Sequence, residues 1–412
     1  MSSWAGRNSA KDSIRSEIWE TLSSNNAVFS SPFGKIPAFK TSDAAAQSLS
    51  KLPIWQQADV IKCNPDTAQL PVRQLALTLG KTVLMAVPQL RQEHCFVALT
   101  AQMAQTAELS IEDAAIAKNA LRIGQPIRFE EMPRIDLVMV GCVAVDRQGG
   151  RTGKGAGFAD LELAMLQYFE RIDAQTPIVT TVDPIQVLES PLPMEAHDWP
   201  LDWIVTSKEA IATHTTYPRP KRLDWSSIQA DQWQSIPVLK RLRRAQIQSE
   251  LTIRPIQLAD APQLLDGVNH VIAEQIYLGA TEPFTIESQA AFLEPILEHH
   301  QPMLVAERAG EIIGCCDIIP YPELGFRHVG RLGMWVLPEF RGLGIGRSLL
   351  EICLDWAKRF GLEKVELQAY TSNEKAIALY RSVGFETEGR RRRVRKLDQQ
   401  YLDLELMGLF LE

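Results

Sequence analysis

The sequence predicts an α/β protein of two domains: the first has a parallel-rich sheet between layers of helices, and the second has a mixed sheet. Three observations lead to this prediction. The chain of 412 residues is longer than a single hydrophobic core usually organises. Its composition, with 45 % hydrophobic and 23 % charged residues, is that of a globular protein. Short strands and helices alternate along the chain, as in sheets that are covered by helices.

The composition also excludes several classes of protein. The chain has no apolar run long enough to span a membrane, and residues 1–11 lack the apolar core of a signal peptide. The six cysteines lie mostly in apolar runs without the spacing of zinc ligands or redox pairs, which indicates reduced thiols in a cytoplasmic protein. The net charge of −7 argues against a protein that binds nucleic acid over its whole surface.

The first domain begins with a predicted amphipathic helix over residues 11–25. Lys11 and Arg15 are four residues apart, so both point the same way from this helix; a solvated basic face is the alternative interpretation. Strand, helix and strand then follow closely, which predicts a parallel sheet. Residues 134–145 form a nearly continuous apolar run and are predicted to be a central strand buried on both faces.

A glycine-rich turn follows this run and precedes a predicted helix over residues 161–171. Backbone amides and the cation of Lys154 converge there, which is the chemistry of a phosphate-binding turn, although the spacing is not that of a Walker loop. Asp160 at the helix start is either a partner of the helix dipole or a magnesium ligand. The three alternating glycines of the turn are Gly153, Gly155 and Gly157.

With these residues, the first domain resembles the 5-formyltetrahydrofolate cyclo-ligase family, and most closely its divergent cyclo-ligase-like members. The resemblance implies that ATP phosphates contact Lys11, Arg15 and Lys154 and the amides of Gly155 and Gly157. It also implies that Asp160 supports magnesium, and that the ATP phosphorylates a folate.

The chain departs from the family pattern at five positions of this domain. Ala156, Phe158 and Ala159 replace polar and tyrosine side chains in the turn, and Thr67 and Ala68 stand where an acidic residue reads the folate. Loss of such donors and acceptors weakens substrate recognition. We therefore expect a retained nucleotide- or phosphate-binding shell and favour a regulatory module over a working ligase.

Residues 208–249 are predicted to be a basic linker between a first domain of residues 1–207 and a second of residues 250–412. A short helix over residues 238–247 carries basic side chains, as does the run 390–396. A solvated linker helix and a solvated hairpin rim are the preferred interpretations. A surface for RNA is the alternative for both, and the second run is also suited to an anionic substrate. The basic residues of the linker helix are Lys240, Arg241, Arg243 and Arg244.

The second domain contains a predicted strand over residues 332–337, a glycine turn with the spacing R-x-x-G-x-G, and a helix with one apolar stripe. The turn leaves several N–H groups unpaired at the positive end of the helix dipole, where they can bind a phosphate. Glycine lets the anion approach the backbone and permits positive φ. The defining residues of the turn are Arg341, Gly344 and Gly346.

About thirty residues later the sequence has Asn373, Ala376, Tyr380, Gly384 and Phe385. In this order the two motifs closely resemble the GNAT superfamily of acetyl-CoA-dependent acyltransferases. The resemblance implies that Asn373 lies beside the cofactor and that Tyr380 protonates the departing thiolate. It also implies two further groups of acetyl-CoA-binding residues. The strand that pairs with the pantetheine arm holds Met334, Trp335 and Val336, and the pyrophosphate turn holds Arg341, Gly342, Gly344, Ile345, Gly346 and Arg347.

The sequence therefore predicts an acetyl-CoA-dependent N-acetyltransferase that acts by direct transfer on a small-molecule or peptide amine, with a first domain that binds a nucleotide or folate. A working cyclo-ligase fused to an acyltransferase and a non-catalytic nucleotide- or RNA-binding protein are the alternatives. The general base stays open between an ordered water chain and three carboxylates, Glu274, Asp317 and Glu366.

Overall fold

The computed structural model describes residues 8–397 and 400–411. Most of the segment considered for a signal peptide, residues 1–7, lies outside the described residues. The chain divides into two compact units, Met1–Leu239 and Lys240–Glu412. No described helix combines the length and the hydropathy that a bilayer crossing requires. All six cysteines are buried and free.

The first unit is built on a sheet of eight strands in the order β11-β10-β8-β5-β1-β2-β3-β4. The five from β10 to β2 are parallel, and the pairs at both edges are antiparallel. A small second sheet has the order β7-β6-β9. The strands are β1 (Val60–Cys63), β2 (Thr82–Ala86), β3 (Phe96–Leu99), β4 (Gln125–Ile127), β5 (Leu137–Met139), β6 (Ala144–Asp146), β7 (Arg151–Thr152), β8 (Ile178–Thr181), β9 (Val187–Leu188), β10 (Trp203–Val205) and β11 (Ala210–Ala212).

Helices pack apolar faces against these sheets. One core cluster holds side chains of β1, β2 and β5, including the buried Ile61, Val83 and Leu137. A second cluster packs Ile18 and Leu22 of α1 against the start of β6, which brings the first helix close to the turn after β7. The helices are α1 (Ser9–Ser24), α2 (Ser42–Ser50), α3 (Pro53–Gln56), α4 (Leu70–Thr78), α5 (Ala101–Thr106), α6 (Ile111–Ala114), α7 (Ala117–Ile123), α8 (Phe158–Tyr168) and α9 (Ala230–Ser235).

The prediction of one central strand over residues 134–145 is wrong. The run forms β5 in the large sheet and β6 in the small sheet, and the chain changes sheets at Gly141. A Cβ at Gly141 would lie 3.1 Å from the Asp66 carboxylate and from Ile36. Both strands are fully buried, so the apolar pattern is continuous across the break and carries no sign of the change in direction.

Residues 208–249, predicted to be a linker, are shared between the units. β11 extends the large sheet of the first unit by antiparallel pairing with β10. Helix α10 (Pro237–Glu250) crosses the division at Leu239, and its Ile247 is fully buried in the core of the second unit.

The second unit has one mixed sheet of seven strands in the order β12-β13-β14-β15-β16-β18-β17. All pairs are antiparallel except that between β15 and β16. The strands are β12 (Leu251–Pro255), β13 (Met303–Arg308), β14 (Glu311–Pro320), β15 (Val329–Val336), β16 (Lys364–Tyr370), β17 (Glu386–Leu397) and β18 (Gln400–Phe410). The helices are α11 (Ala261–Ala273), α12 (Ile286–Glu298), α13 (Ile345–Phe360) and α14 (Glu374–Ser382).

Two core clusters cover the two faces of this sheet. Cys316 of β14 lies in the cluster that holds the buried side chains of α13, and the neighbouring Cys315 lies in the cluster of α11 and α12. Successive residues of a strand point to opposite faces. The helix α11 approaches the sheet closely because Gly267 lies against the indole of Trp335.

We predict that Gly267→Ala destabilises the second unit by about 1–3 kcal/mol, because a methyl group at this position overlaps the Trp335 ring and the packed core must shift. This cost exceeds the gain of about 1 kcal/mol that alanine brings to a helix interior. The measurement is the midpoint of urea unfolding. Gly325→Ala is the matched control, since nothing lies within 4 Å of its added Cβ. An unchanged midpoint for Gly267→Ala would show that the close approach of α11 is unimportant.

Candidate functional site

Strands β15 and β16 pair over only three residues and then part, which opens a cleft in the second unit. Their parallel register runs from Val329 to Arg331 of β15. Beyond this point β15 continues to pair with β14 as far as Val336, while β16 pairs with β18 as far as Tyr370. One edge of β15 is therefore left without a strand partner over residues 332–336, the segment that holds the predicted Met334, Trp335 and Val336.

The predicted turn lies directly after this edge and before α13. Gly342 and Gly344 have φ values of 75° and 90°, and Gly344 is the N-cap of α13. The turn is closed at both ends, because Arg341 N–H donates to Pro338 O at 3.3 Å and Ser348 N–H donates to Gly344 O at 3.1 Å. Within the described chain the six amides of residues 342–347 donate to no protein acceptor. They form the concave set of donors that an anion requires.

Arg341 supports the turn with its side chain and does not point a free cation at it. Its Nε donates to Val336 O at 2.8 Å. Its two Nη atoms donate to the Glu274 carboxylate at 2.6 and 2.7 Å, and the guanidinium lies 4.7 Å from the Tyr277 ring centroid. The arginine of the motif thus ties the end of β15 to the end of α11.

The other predicted residues of the turn also have identifiable places. Ile345 is buried in the core, so only its amide faces the cleft. A Cβ at Gly346 would lie 3.6 Å from both Met334 and Leu379, which places the first turn of α13 between β15 and α14. Arg347 is engaged on the surface by Glu351 at 3.0 Å and Ser382 at 2.5 Å.

Asn373 and Tyr380 lie at the start and near the end of α14. The Asn373 side chain caps the helix by accepting from Ala376 N at 3.3 Å. Tyr380 is buried among the core residues of α13 and β14. Burial, and to a smaller extent the nearby Cys316, raise the pKa of the Tyr380 phenol well above its usual value. Its hydroxyl has no hydrogen-bond partner in the described part of the chain, so it is protonated and available as a donor.

Asp317 occupies the opposite face of the sheet, next to β15. It pairs in register with Gly333, and a Cβ at Gly333 would lie 2.8 Å from its carboxylate. Only glycine therefore lets the carboxylate lie over β15. Burial raises the pKa of Asp317 to about 7, although the charge of Arg331 opposes this shift. No hydrogen bond or ion pair of this carboxylate is found among residues 8–397 and 400–411.

The two other candidate bases are already engaged. Glu274 holds Arg341, as described above, and Glu366 accepts a hydrogen bond from the Tyr321 hydroxyl at 2.5 Å. This bond raises the pKa of Tyr321, and burial adds to the shift. Of the three carboxylates that the sequence left open as the general base, Asp317 is therefore the one without a hydrogen-bond partner among the described residues.

One arginine of the run 390–396 turns inward and does not lie on a solvated rim. Arg395 donates to Gln275 at 3.0 Å and to Leu278 O at 3.2 Å, and its guanidinium lies 5.5 Å from the Tyr370 ring centroid. Its Nε is buried without a partner among the described atoms. The sequence predicted a solvated rim for this run, with an anionic substrate as an alternative, but it did not distinguish Arg395 from surface residues of the run such as Arg390, which pairs with Asp403 at 2.9 Å.

In the first unit, the predicted residues line one cavity of about 640 Å³. α1 contributes Lys11 and Arg15, and the turn before α8 contributes Lys154, Gly155 and Gly157. Gly157 has a φ of 71° and is the N-cap of α8. Gly344, the N-cap of α13 in the second unit, has a positive φ as well.

The cations of this cavity are opposed by an equal number of carboxylates. Lys11 pairs with Asp198 and with Glu195, Arg15 pairs with Asp12, and Lys154 lies 3.9 Å from Asp66. The lining holds six cations, Lys11, Arg15, Arg151, Lys154, Lys221 and Arg222, and six carboxylates, Asp66, Asp160, Glu162, Glu195, Asp198 and Asp224.

Asp160, predicted to be a magnesium ligand, has one of its two carboxylate oxygens engaged by the protein. One of its oxygens accepts from both Arg151 and the amide of Trp199, the latter at 3.0 Å. The group of Glu195, His197 and Asp198, whose ligand atoms lie within 4.8 Å of one another, is likewise occupied by the ammonium of Lys11. The cavity thus suits an organic or phosphate ligand better than a bare divalent cation.

Sequence reasoning missed Gln232 of α9, which closes the turn of the first unit. Its Nε2 donates to Ala156 O at 3.0 Å and would lie 3.3 Å from a Cβ at Gly157. Gln232 is buried, and it comes from the segment that was predicted to be a linker.

Comparisons with known proteins agree with both units. The sequence model of the 5-formyltetrahydrofolate cyclo-ligase family matches residues 7–207, and that of the acetyltransferase (GNAT) family matches residues 270–385. A methenyltetrahydrofolate synthase domain-containing protein of Bos taurus is 34 % identical over 261 residues, which are 63 % of this chain and 67 % of that relative.

Relatives of the second unit are shorter proteins. An L-methionine sulfoximine/L-methionine sulfone acetyltransferase of Pseudomonas aeruginosa is 28 % identical over 163 residues, covering 39 % of this chain and 95 % of that relative. The structure of a putative acetyltransferase of Salmonella typhimurium with its cofactor acetyl-CoA has 26 % sequence identity and a TM-score of 0.38, covering 39 % of this chain and 94 % of that one. The chain therefore belongs to the 5-formyltetrahydrofolate cyclo-ligase family through its first unit, and its second unit is a GNAT acyltransferase domain.

Proposed function

We propose that the second unit transfers an acetyl group from acetyl-CoA directly to the amine of a small acceptor of the α-amino-acid class. The observation that carries this proposal is the continuity of the open edge of β15 with the six amides of residues 342–347. An unpaired strand edge can pair with the amide-bearing pantetheine arm, and the amides can hold the diphosphate that follows it.

Two groups on opposite faces of the sheet supply the proton transfers. The neutral amine attacks the thioester carbonyl, so that a C–N bond forms and the C–S bond breaks. Asp317, with a pKa of about 7, takes the proton that the nitrogen loses. Tyr380 donates its phenolic proton to the leaving sulfur, and the phenol is restored from solvent. The proton reaches the sulfur as the C–S bond breaks, so the negative charge that develops on the leaving group is neutralised.

The acceptor class rests on two independent supports. The relative in Pseudomonas aeruginosa acetylates, by its name, the amino acids L-methionine sulfoximine and L-methionine sulfone. In this chain the inward guanidinium of Arg395, with its buried and unpartnered Nε, supplies a cation that suits the carboxylate of such an acceptor. A small amino acid thus supplies both an amine for the base Asp317 and a carboxylate for the cation Arg395.

For the first unit we propose a regulatory role through binding of a nucleotide. The glycine turn, Lys154 and the two cations of α1 line one cavity, which supports a phosphate-bearing ligand. Ala156, Phe158 and Ala159 line it as well and offer none of the side-chain donors that folate chemistry would use.

The first experiment measures thiol release from acetyl-CoA by the full chain with L-amino acids, polyamines and short peptides as acceptors. We expect turnover with amino acids, and we expect Tyr380→Phe to lower kcat by roughly one to two orders of magnitude while the affinity for CoA is kept. Tyr401→Phe, which changes an exposed tyrosine of β18, is the matched control with full activity. Unchanged turnover of Tyr380→Phe would remove the catalytic role of this phenol, and turnover with polyamines alone would contradict the acceptor class.

The second prediction concerns pH. The base form of Asp317 is present above its pKa of about 7, so kcat/KM rises through this range. Asp317→Asn removes this rise of kcat/KM and lowers activity by roughly 10²–10⁴-fold.

The raised pKa of Asp317 also means that folding favours the protonated acid. The stability that this gives below the ordinary pKa of 3.8 is lost as pH rises through 7. Asp317→Asn is therefore expected to be more stable than the parent above pH 7. A variant that keeps the rise of kcat/KM near pH 7 would exclude Asp317 as the base.

The third prediction tests the first unit. Calorimetric titration of the full chain with ATP is expected to show binding, and Lys154→Gln is expected to weaken it about tenfold because one charge-assisted hydrogen bond is lost. Lys208→Gln, an exposed lysine outside the cavity lining, is the control. Release of ADP and phosphate on addition of 5-formyltetrahydrofolate would favour a working ligase, and an absence of any heat with ATP would contradict nucleotide binding.

A further inference from the structure

Arg244 of α10 lies directly above the glycine turn of the second unit. The Cβ position of Gly344 is 3.0 Å from its Nη2, 3.1 Å from its Nε and 3.2 Å from its Cζ. The guanidinium therefore lies beside the N-cap of α13, in the space that a side chain at residue 344 would enter. Arg244 lies outside the segment that the GNAT family model matches, which begins at residue 270, so the motif gives no indication of this contact.

Neither this cation nor the amides beneath it have a partner. The Arg244 side chain is exposed, and it forms no hydrogen bond or ion pair with the residues that the structure describes. The amides of residues 342–347 are equally without protein acceptors there. A guanidinium and the positive end of a helix dipole repel each other, and an anion that binds to both is attracted by both.

The arginine of the motif cannot supply this charge. Both Nη atoms of Arg341 are held by Glu274 and its Nε by Val336 O, so all three nitrogens of its guanidinium are already bonded within the frame of the turn. Arg347, on the first turn of α13, is likewise engaged by Glu351 and Ser382. Of the described arginines next to the turn, Arg244 is the one whose donors are unused.

The position of α10 makes Arg244 a fixed part of the second unit. Ile247, three residues further along the helix, is fully buried in the main core cluster with Ile345 and Leu349 of α13. On a helix, residues three apart lie on neighbouring positions of one side. The same packing that anchors α10 therefore directs Arg244 toward the start of α13.

We propose that Arg244 binds the diphosphate of acetyl-CoA together with the turn amides, so that one anion is shared by the guanidinium of α10 and the N-terminus of α13. This inference rests on the proposed function of the second unit. Arginine suits this place because its fork can donate two parallel hydrogen bonds to phosphate oxygens. The binding site for the cofactor is then completed by a helix that precedes the first strand of the domain.

The test measures kcat and KM of the full chain for three acetyl donors: acetyl-CoA, 3′-dephospho-acetyl-CoA and S-acetylpantetheine, which has no diphosphate. Arg244→Gln is expected to raise KM about tenfold for the first two donors, with kcat unchanged, and to leave KM for S-acetylpantetheine as it is. Arg244→Lys is expected to recover part of the loss, since it keeps the charge without the fork. Arg243→Gln is the matched control on the same helix, because the Arg243 guanidinium donates to Gln246 at 3.3 Å, and its KM values are expected to equal those of the parent.

The outcomes separate this inference from the proposed function. Gly344→Val, which places a side chain at a φ of 90° under Arg244, is expected to abolish CoA binding in calorimetry. If it does so while Arg244→Gln leaves KM for acetyl-CoA unchanged or lowers it, the role of Arg244 is refuted and the proposed function stands. A loss confined to the donor with the 3′-phosphate would equally refute the diphosphate as the target. If the unaltered chain binds no CoA, both proposals fail.

Discussion

The divergence of β15 from β16 is the constraint on which the second unit depends. Three paired residues hold the strands together at one end, and beyond them each strand has a different neighbour, β14 for one and β18 for the other. If the strands stayed paired, the backbone groups at this edge of β15 would form hydrogen bonds within the sheet, and no cleft would open between β15 and β16. Instead the unpaired edge runs directly into a turn whose amides are also unpaired. A buried or half-buried edge without partners is costly, and a ligand with amides at one end and phosphates at the other removes this cost along its whole length.

The sequence specifies the backbone of this site better than its side chains. Positive φ at Gly342 and Gly344 is a property of glycine itself, and the position of the turn between a strand and a helix follows from local patterns. The partners of a side chain depend on the tertiary fold. Arg341 belongs to the motif, yet its guanidinium is held by a carboxylate 67 residues earlier in the chain, and no local pattern contains this pair. The same limit explains why Asp317 could not be preferred over Glu274 and Glu366 until their hydrogen bonds were known.

The first unit shows the same limit in another form. The sequence placed Lys11, Arg15 and Lys154 around one ligand, and they do line one cavity. It could not show that Lys11 and Lys154 are opposed by carboxylates, because Asp66, Glu195 and Asp198 come from loops elsewhere in the chain. The break of residues 134–145 into two strands at Gly141 was also invisible, since full burial on both sides of the break gives one uniform apolar run.

The segment predicted to be a linker contributes one side chain to each of the two glycine turns. These two side chains distinguish the turns from each other. Each turn begins its helix with a glycine in the left-handed region, Gly157 in the first unit and Gly344 in the second. The consecutive helices α9 and α10 each place one side chain next to the glycine of their own unit. A Cβ added at Gly157 would lie 3.3 Å from Gln232, and one added at Gly344 would lie 3.0 Å from Arg244. The amide of Gln232 is already bonded to the turn, so that turn is closed by a neutral hydrogen bond. Arg244 faces amides that have no acceptor, so the second turn is complete only when an anion joins the two. The two turns therefore share a glycine pattern and differ in the side chain next to that glycine, which is a neutral amide at Gln232 and a cation at Arg244.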